Sequence, residues 1–510
     1  MKQLLKFLFS RVVIVGLLLI VQVVWFFLFF LELVEYSAVI NILLNLISLL
    51  AVLYIINRPD NPAYKMAWAI AILVFPVLGG LMYLTLGSKQ PKKSLRRMLD
   101  RSGRQLKPLL VQDEEVTSKV RLEDPSAAGQ MHYIREYAGY PVYEGTTATY
   151  FKSGEDNFPV LLEELKKAKH FIFMEYFIIE EGEMFDAILE ILKEKVAEGV
   201  DVRLIYDDFG SVTVLPYKYY HRLESYGIKC EAFNKFIPIF SVVMNHRDHR
   251  KITVIDGHTG FTGGINLADE YINRKERFGY WKDTGIMLKG EAVWNLTAMF
   301  LTVWNAVRPT DQDFREFMPE RYHAKDFPSD GYVQPYGDSP LDNETVGENV
   351  YLNMINAAQQ YIYMCTPYLI IDNEMITALC LAAKRGVDVR IVTPNIPDKK
   401  LVFCLTQSYY PQLLESGVNI YQFTPGFIHA KCFVCDDKFA TVGTINMDYR
   451  SLYLHFECGV FLYGSSAISQ IKEDALETME KSCLVTEKMT QKKFLVRLTQ
   501  ALLRVLAPLF

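Results

Sequence analysis

The sequence has no cysteine before Cys230, and its eight cysteines are scattered over the remaining length. That spacing excludes the dense disulfide framework of a small secreted domain and reads as reduced thiols. Cys432 and Cys435 form a single CxxC with no second pair and no histidine cluster beside it, so a zinc site would lack its four ligands. Neither sign of charge is in excess: 54 Lys and Arg stand against 59 Asp and Glu, a net charge of −5. A surface built around nucleic acid is thereby excluded as the main theme. Half of the residues are hydrophobic, which excludes a disordered chain. A length of 510 residues exceeds one ordinary core and implies two or three folding units.

The apolar excess lies at the front. Val12–Leu31 has Gln22 as its one polar side chain, and Ala38–Ile56 and Met66–Leu86 follow it. Each approaches the ~20 residues that an α-helix needs to cross a bilayer. The first is too long for a signal peptide and has no small-residue cleavage site after it, so a retained membrane region of two to three hydrophobic helices is expected. Pro76 and Gly79-Gly80 predict a kink or re-entrant hairpin in the third. The flanking Lys and Arg tie at five a side. The basic run after Leu86 and the free thiols favour a cytosolic globular part, with one stretch not crossing fully. Residues 89–130 read as a charged linker or surface helix. Lys493, Arg497, Gln500 and Arg504 form a polar stripe on an apolar C-terminal helix, 491–510, which suits a membrane interface or packing on the body.

The body repeats. FIFMEYFII (171–179) matches YIYMCTPYLII (361–371), and both run through a helical pattern to Gly-Val-Asp-Val-Arg. Gly199 and Gly386 fit helix C-caps before the next strand. These are strand–helix–strand units, so the predicted class is α/β, with two similar halves at 131–325 and 326–490 after a membrane region at 1–88.

The chemistry repeats too. HRKITVID (249–256) and HAKCFVCD (429–436) are both H-x-K-x4-D. His249 with Lys251, and His429 with Lys431, would point to one face of a strand. Asp256 and Asp436 close each motif on the other parity and are read as fixing the turn. Six residues separate each Asp from a Gly-rich element: Gly263-Gly264-Ile265-Asn266 and Gly443-Thr444-Ile445-Asn446. These are expected to offer backbone N–H groups and an amide to an anion. Two imidazoles, two ammonium groups and two amides fit a phosphodiester with no metal required. One neutral imidazole can attack phosphorus while the other handles protons. Downstream, Asp283 and Glu457 occupy aligned frames and could each hold a histidine in the correct tautomer.

The duplicated H-x-K-x4-D resembles the phospholipase D superfamily over about 131–490. Within it, GTINMDYRSLYLHFECGVFL (443–462) resembles the second-motif region of bacterial cardiolipin synthases. That resemblance implies two phospholipase D-like halves with mixed sheets and flanking helices. It implies transfer between two phosphatidylglycerol molecules to give cardiolipin and glycerol, through a phosphohistidine and without a metal or other cofactor. Its catalytic motif residues would be His249, Lys251, Asp256, His429, Lys431 and Asp436. By the same analogy Asp283 would serve His429, and Glu457 would serve His249. A multi-pass position in the bacterial plasma membrane is implied, with lipid and not nucleic acid as partner. A phospholipase D hydrolase, a transferase using another alcohol, and a membrane-tethered nuclease stay open. Gly264 stands where many superfamily members have Ser.

Overall fold

The computed structural model describes residues 38–510 apart from 76–78, 81, 85–86, 88–92, 236–245, 324–326, 343 and 510, together with 20, 23–24 and 27. The expected first membrane helix, Val12–Leu31, therefore lies almost wholly outside the described residues. The second apolar stretch is the helix Ala38–Ile56. The third begins as the helix Pro62–Val74, capped by Asn61, whose side chain accepts from Ala63 N. That helix ends one residue before Phe75, as expected ahead of Pro76. Among the described residues no helix is long and apolar enough to cross a membrane.

The body is two copies of one sheet. The first half has strands β1 (Thr146–Phe151), β2 (Phe171–Tyr176), β3 (Asp201–Asp207), β4 (Lys229–Phe233), β5 (Ile252–Ile255), β6 (Thr259–Gly263), β7 (Tyr280–Lys282) and β8 (Gly285–Gly290). The second has β9 (Tyr332–Asp338), β10 (Tyr361–Cys365), β11 (Leu369–Ile370), β12 (Asp388–Pro394), β13 (Asn419–Phe423), β14 (Gly426–Ile428), β15 (Cys432–Cys435), β16 (Phe439–Gly443), β17 (Met447–Asp448), β18 (Glu457–Tyr463) and β19 (Ser482–Leu484). The first sheet runs β1-β8-β6-β5-β2-β3-β4; the second runs β9-β18-β16-β15-β10-β12-β13, with β19 added at its edge. β2, β3 and β4 are mutually parallel, as are β10, β12 and β13. The other neighbours in each sheet are antiparallel, so both sheets are mixed.

The parallel strands are joined by the helices Glu183–Ala197 and Asn373–Lys384. Each helix stops at a glycine in the left-handed region, Gly199 (φ 91°) and Gly386 (φ 92°), where a Cβ would be strained. One face of each sheet belongs to a shared core. Phe173, Ile252 and Leu288 of the first half join Val434, Val442 and Val460 of the second in it. The helix Val293–Val307 is mostly apolar and packs into this core, with Thr302 and Asn305 half-buried at its edge. The charged helix Lys93–Leu106 sends Leu99 and Leu106 into the same cluster. Separate clusters fill the outer face of each sheet. This arrangement turns the β6–β8 region of one half toward β16–β18 of the other, and Thr262 Oγ1 lies 3.4 Å from Cys458 Sγ across the divide.

Candidate active site

Backbone pairing between the halves positions both histidines. β14 pairs in parallel with β7, and just beyond it His429 N donates to Lys282 O at 2.7 Å. In the mirror arrangement Asp248 bridges Phe456, and His249 N donates to Phe456 O at 2.9 Å. Each motif histidine is thus tied to the residue immediately before the carboxylate of the other half. The motif His and Lys themselves lie in the extended approach to β5 and β15, whose first residues are Ile252 and Cys432. The expected strand begins one position after each lysine, because these backbones bond across to the partner half.

The side chains cross in the same way. His249 Nδ1 donates to Glu457, 2.9 Å from Oε1 and 3.0 Å from Oε2. His429 Nδ1 lies 2.6 Å from Asp283 Oδ2. A carboxylate only accepts, so each bond puts the proton on Nδ1 and leaves Nε2 as the free lone pair. Lys251 Nζ donates to His249 O, and Lys431 Nζ to His429 O. Lys431 Nζ also stands 2.8 Å from His429 Nδ1. All four motif side chains are buried, as are both acids.

That burial sets the charge states. His249 is pushed well below the ordinary imidazole range, by desolvation first and then by the charges of Lys251, Lys431 and His429. His429 is pulled down to about 4, by burial and then by Lys431. Burial also lowers Lys251 to about 8 and Lys431 to about 7, with the nearby acids opposing the fall. Four basic groups crowd one desolvated centre, each disfavouring charge on the others. Such a centre is complementary to an anion.

Comparison with known proteins supplies the context. A family model described as cardiolipin synthase, PLD-like domain matches residues 161–295 and 351–479, one segment in each half. The chain belongs to this family. A second model, Phospholipase_D-nuclease N-terminal, matches residues 46–88. A protein called cardiolipin synthase from Geobacillus sp. is 35% identical over 476 residues, covering 91% of this chain and 92% of its own. One of the same name from Halalkalibacterium halodurans is 32% identical over 490 residues, covering 93% of each. The crystal structure of a phosphatidylserine synthase from Haemophilus influenzae shares the fold, with a TM-score of 0.54 at 15% identity over 71% of this chain and 93% of that one.

In this cardiolipin synthase family site Asp256 and Asp436 stand at the turn, as the sequence predicts, whereas the expectation for the Gly-rich elements needs correction. Asp256 and Asp436 are not beside the imidazoles; each sits past the far end of its four-residue strand, β5 or β15. The Asp256 carboxylate accepts from the backbone N–H groups of Lys169, His170 and Phe171. Asp436 does the same for Gln359, Gln360 and Tyr361. They hold the loop entering β2 and β10, as a left-handed φ of 48° and 54° at a turn allows. Asp256→Ala leaves three N–H groups without an acceptor, which costs about 2–4 kcal/mol. The expected result is a melting point lower by about 5 °C, with specific activity per folded molecule changed less than about threefold. A far larger activity loss in protein that melts normally would return Asp256 to the catalytic set.

The Gly-rich elements serve packing. The N–H of Gly264 bonds Thr284 O and that of Thr444 bonds Cys458 O. A Cβ on Gly263 would lie 2.4 Å from Thr284 O, and one on Gly443 would lie 2.4 Å from Cys458 O. At Gly264 it would lie 2.0 Å from Asp283 Oδ1, so glycine there lets the carboxylate approach His429. Thr444, at the matching position, instead donates its hydroxyl to Glu457 Oε2 at 2.5 Å. Asn266 is also committed internally: Oδ1 accepts from Ile178 N, and Nδ2 donates to Tyr271 OH. Asn446 differs, since its buried Oδ1 has no partner.

Three contributors were not read from the sequence. Ser451 donates to Glu457 Oε1 at 2.5 Å; the signal was its place in the N-x-D-x-R-S run. Arg250 is buried against Glu175 (2.6 Å) and Asp248 (2.9 Å), pinning the His249 loop to β2. The third is His455, whose ring centroid is 5.6 Å from that of His249. The aligned frames of β8 and β18 put Trp281 at the matching place in the first half, 5.5 Å from the His429 ring. A single sequence gives no signal for either.

Proposed function

We propose that this chain is a cardiolipin synthase, transferring a phosphatidyl group from one phosphatidylglycerol to another and releasing glycerol. The observation that carries this reading is the pair of buried imidazoles, each held by the carboxylate of the opposite half beside a lysine. One imidazole attacks the phosphorus of the donor through Nε2. The P–N bond forms as the bond to the glycerol headgroup oxygen breaks; the other imidazole, which takes up a second proton on Nε2 as the bound phosphodiester anion raises its pKa, gives that proton to the departing oxygen. That second imidazole then takes the proton of a glycerol hydroxyl on the acceptor lipid. The acceptor oxygen attacks phosphorus, the P–N bond breaks, and the first histidine is restored. Lys251 and Lys431 neutralise the phosphoryl oxygens. No step requires a metal.

The proposal includes a multi-pass anchor in the bacterial plasma membrane, with both halves on the cytosolic side. In its support, the helix Ala38–Ile56 exposes Ile42, Leu46, Ile47, Leu50 and Leu53. The C-terminal helix Phe494–Leu506 exposes Phe494, Leu495, Leu498 and Leu502, beside Lys493, Arg497 and Arg504, as a helix lying on an anionic lipid surface would. Gln500, expected on the polar stripe, is instead buried and donates to Cys404 O, so that face is the one packed on the body. Incubation of the purified chain with phosphatidylglycerol vesicles should yield cardiolipin and glycerol in equal amounts. Phosphatidic acid as the sole product would replace the transferase by a hydrolase.

The electrostatics give a second expectation. Because the lysines are depressed to about 8 and about 7, part of their charge is absent at pH 7.5. An anion at the centre favours the charged forms and raises their pKa, so protons are taken up on binding. Calorimetry with sulfate at pH 7.5, in two buffers of different ionisation enthalpy, should detect uptake of about half a proton or more. Release of protons, or no exchange, would contradict the arrangement of charges.

A further inference from the structure

His455 is 8% exposed, and neither of its ring nitrogens has a hydrogen-bond partner. A buried imidazole normally has at least one. Its Nδ1 stops 3.7 Å from Glu457 Oε1, beyond hydrogen-bond distance, while His249 Nδ1 lies 2.9 Å from the same oxygen. One ligand atom from each of His249, His455 and Glu457 falls within 4.8 Å of the others. Two imidazoles and one carboxylate form a donor set that zinc takes, at about 2.0–2.2 Å from each atom. Tetrahedral ligands at that range stand roughly 3.3 Å apart, so closure on an ion needs shifts of under about 1 Å at the two Glu457 contacts.

The approach to His455 also favours a cation. It opens on a cavity of about 110 Å³ lined by Asp60, Asp338, Asp342, Glu344 and Arg58; burial pushes the Asp338 carboxyl up to about 8, so Asp338 is largely protonated near neutral pH and the other acids carry the attraction. Arg58 is itself paired with Asp60 at 3.1 Å. The first half has no equivalent, because Trp281 stands where His455 stands in the second, and an indole offers no lone pair to a metal.

We propose that His249, His455 and Glu457 form an inhibitory site for a zinc-like transition-metal ion, entered through this acidic cavity. The ion replaces the proton on His249 Nδ1, which leaves to solvent, and engages the Glu457 carboxylate that held it. With a dication on Nδ1, the Nε2 lone pair is a poorer nucleophile and base, and transfer stops. The charges of Lys251 and Lys431, which act on His249, and of Arg450, which acts on His455, oppose the ion. They set the expected affinity in the micromolar range, as suits a reversible inhibitor and not a resident cofactor.

Binding is tested first, since it does not depend on the proposed reaction. Equilibrium dialysis of the full chain against zinc should show one ion bound per molecule at micromolar concentration, and cobalt should develop the visible absorption of a low-coordinate nitrogen–oxygen site. His455→Gln and His249→Gln should each weaken binding at least about tenfold. His323→Gln, at the His258–His323 ring pair elsewhere in the first half, should not. Two ligand variants guard against one failing to fold. In the transfer assay, zinc should inhibit the wild type and a chelator should restore it. His455→Gln, compared with its own zinc-free rate, should need at least about tenfold more zinc. No stoichiometric binding, or equal binding in both ligand variants, overturns the site. Binding with no effect on an active enzyme overturns the inhibition. Binding to a chain that transfers no lipid keeps the site and sinks the reaction proposed above.

Discussion

His249→Gln and His429→Gln are each expected to slow cardiolipin formation by about 10⁴-fold or more, as removal of a nucleophile or its proton-transfer partner does elsewhere. Glutamine approximates the imidazole in volume, so the melting point should move by no more than a few degrees. The effects should not add: once either ring is gone the chain of bond exchanges is broken, and the double variant should be no slower than the worse single one. Acid quenching with labelled phosphatidylglycerol distinguishes the two roles. The variant that keeps the attacking ring retains the capacity to trap a phosphohistidine, and the other does not. Turnover above about 1% of wild type in either single variant would be incompatible with the scheme.

Asp283→Asn and Glu457→Gln should produce the next largest loss, about 10³- to 10⁴-fold in kcat with KM little changed. A carboxylate can only accept from Nδ1–H, so it fixes the tautomer that leaves Nε2 unprotonated; an amide can donate instead and select the wrong one. The two acids are not equivalent. Asp283 Oδ2 meets His429, while its Oδ1 accepts from Thr284 N. Glu457 meets His249 and also accepts from Thr444 and Ser451. An amide at 457 would have to satisfy two hydroxyls and one imidazole, so Glu457→Gln should also lower the melting point more than Asp283→Asn does. Activity within tenfold of wild type in both variants would show that the crossed bonds do not position the rings.

The duplicated architecture was legible because its signals are local. An apolar run followed by a 3.6-period helix and Gly-Val-Asp-Val-Arg specifies β2 with β3, and β10 with β12, without knowledge of anything distant. The paired H-x-K-x4-D motifs were equally plain. What failed was inference about depth and proximity. Gly263, Gly264 and Gly443 looked like an anion cradle, since glycine permits close approach; the partner approaching closely proved to be the next strand and its carboxylate. Asn266 and Asn446 both follow Gly-x-Ile, yet the Oδ1 of Asn266 accepts a hydrogen bond and that of Asn446 does not. His455 sits in an apolar run, Leu-His-Phe, that gave no reason to separate it from an ordinary core histidine. Only the matching of Trp281 with His455 across the two sheets exposes the asymmetry.

The interlocked backbone pairing, β14 on β7 and residue 456 on residues 247–249, makes the enzyme a logical AND gate. A polypeptide severed between β8 and β9 would leave every imidazole on one piece and its orienting acid on the other. Activity would then report reassembly of the two pieces, falling with dilution as their association falls. The same dependence holds during synthesis: the ring of His249 has no orienting acid until the carboxyl-terminal part has folded against the amino-terminal one.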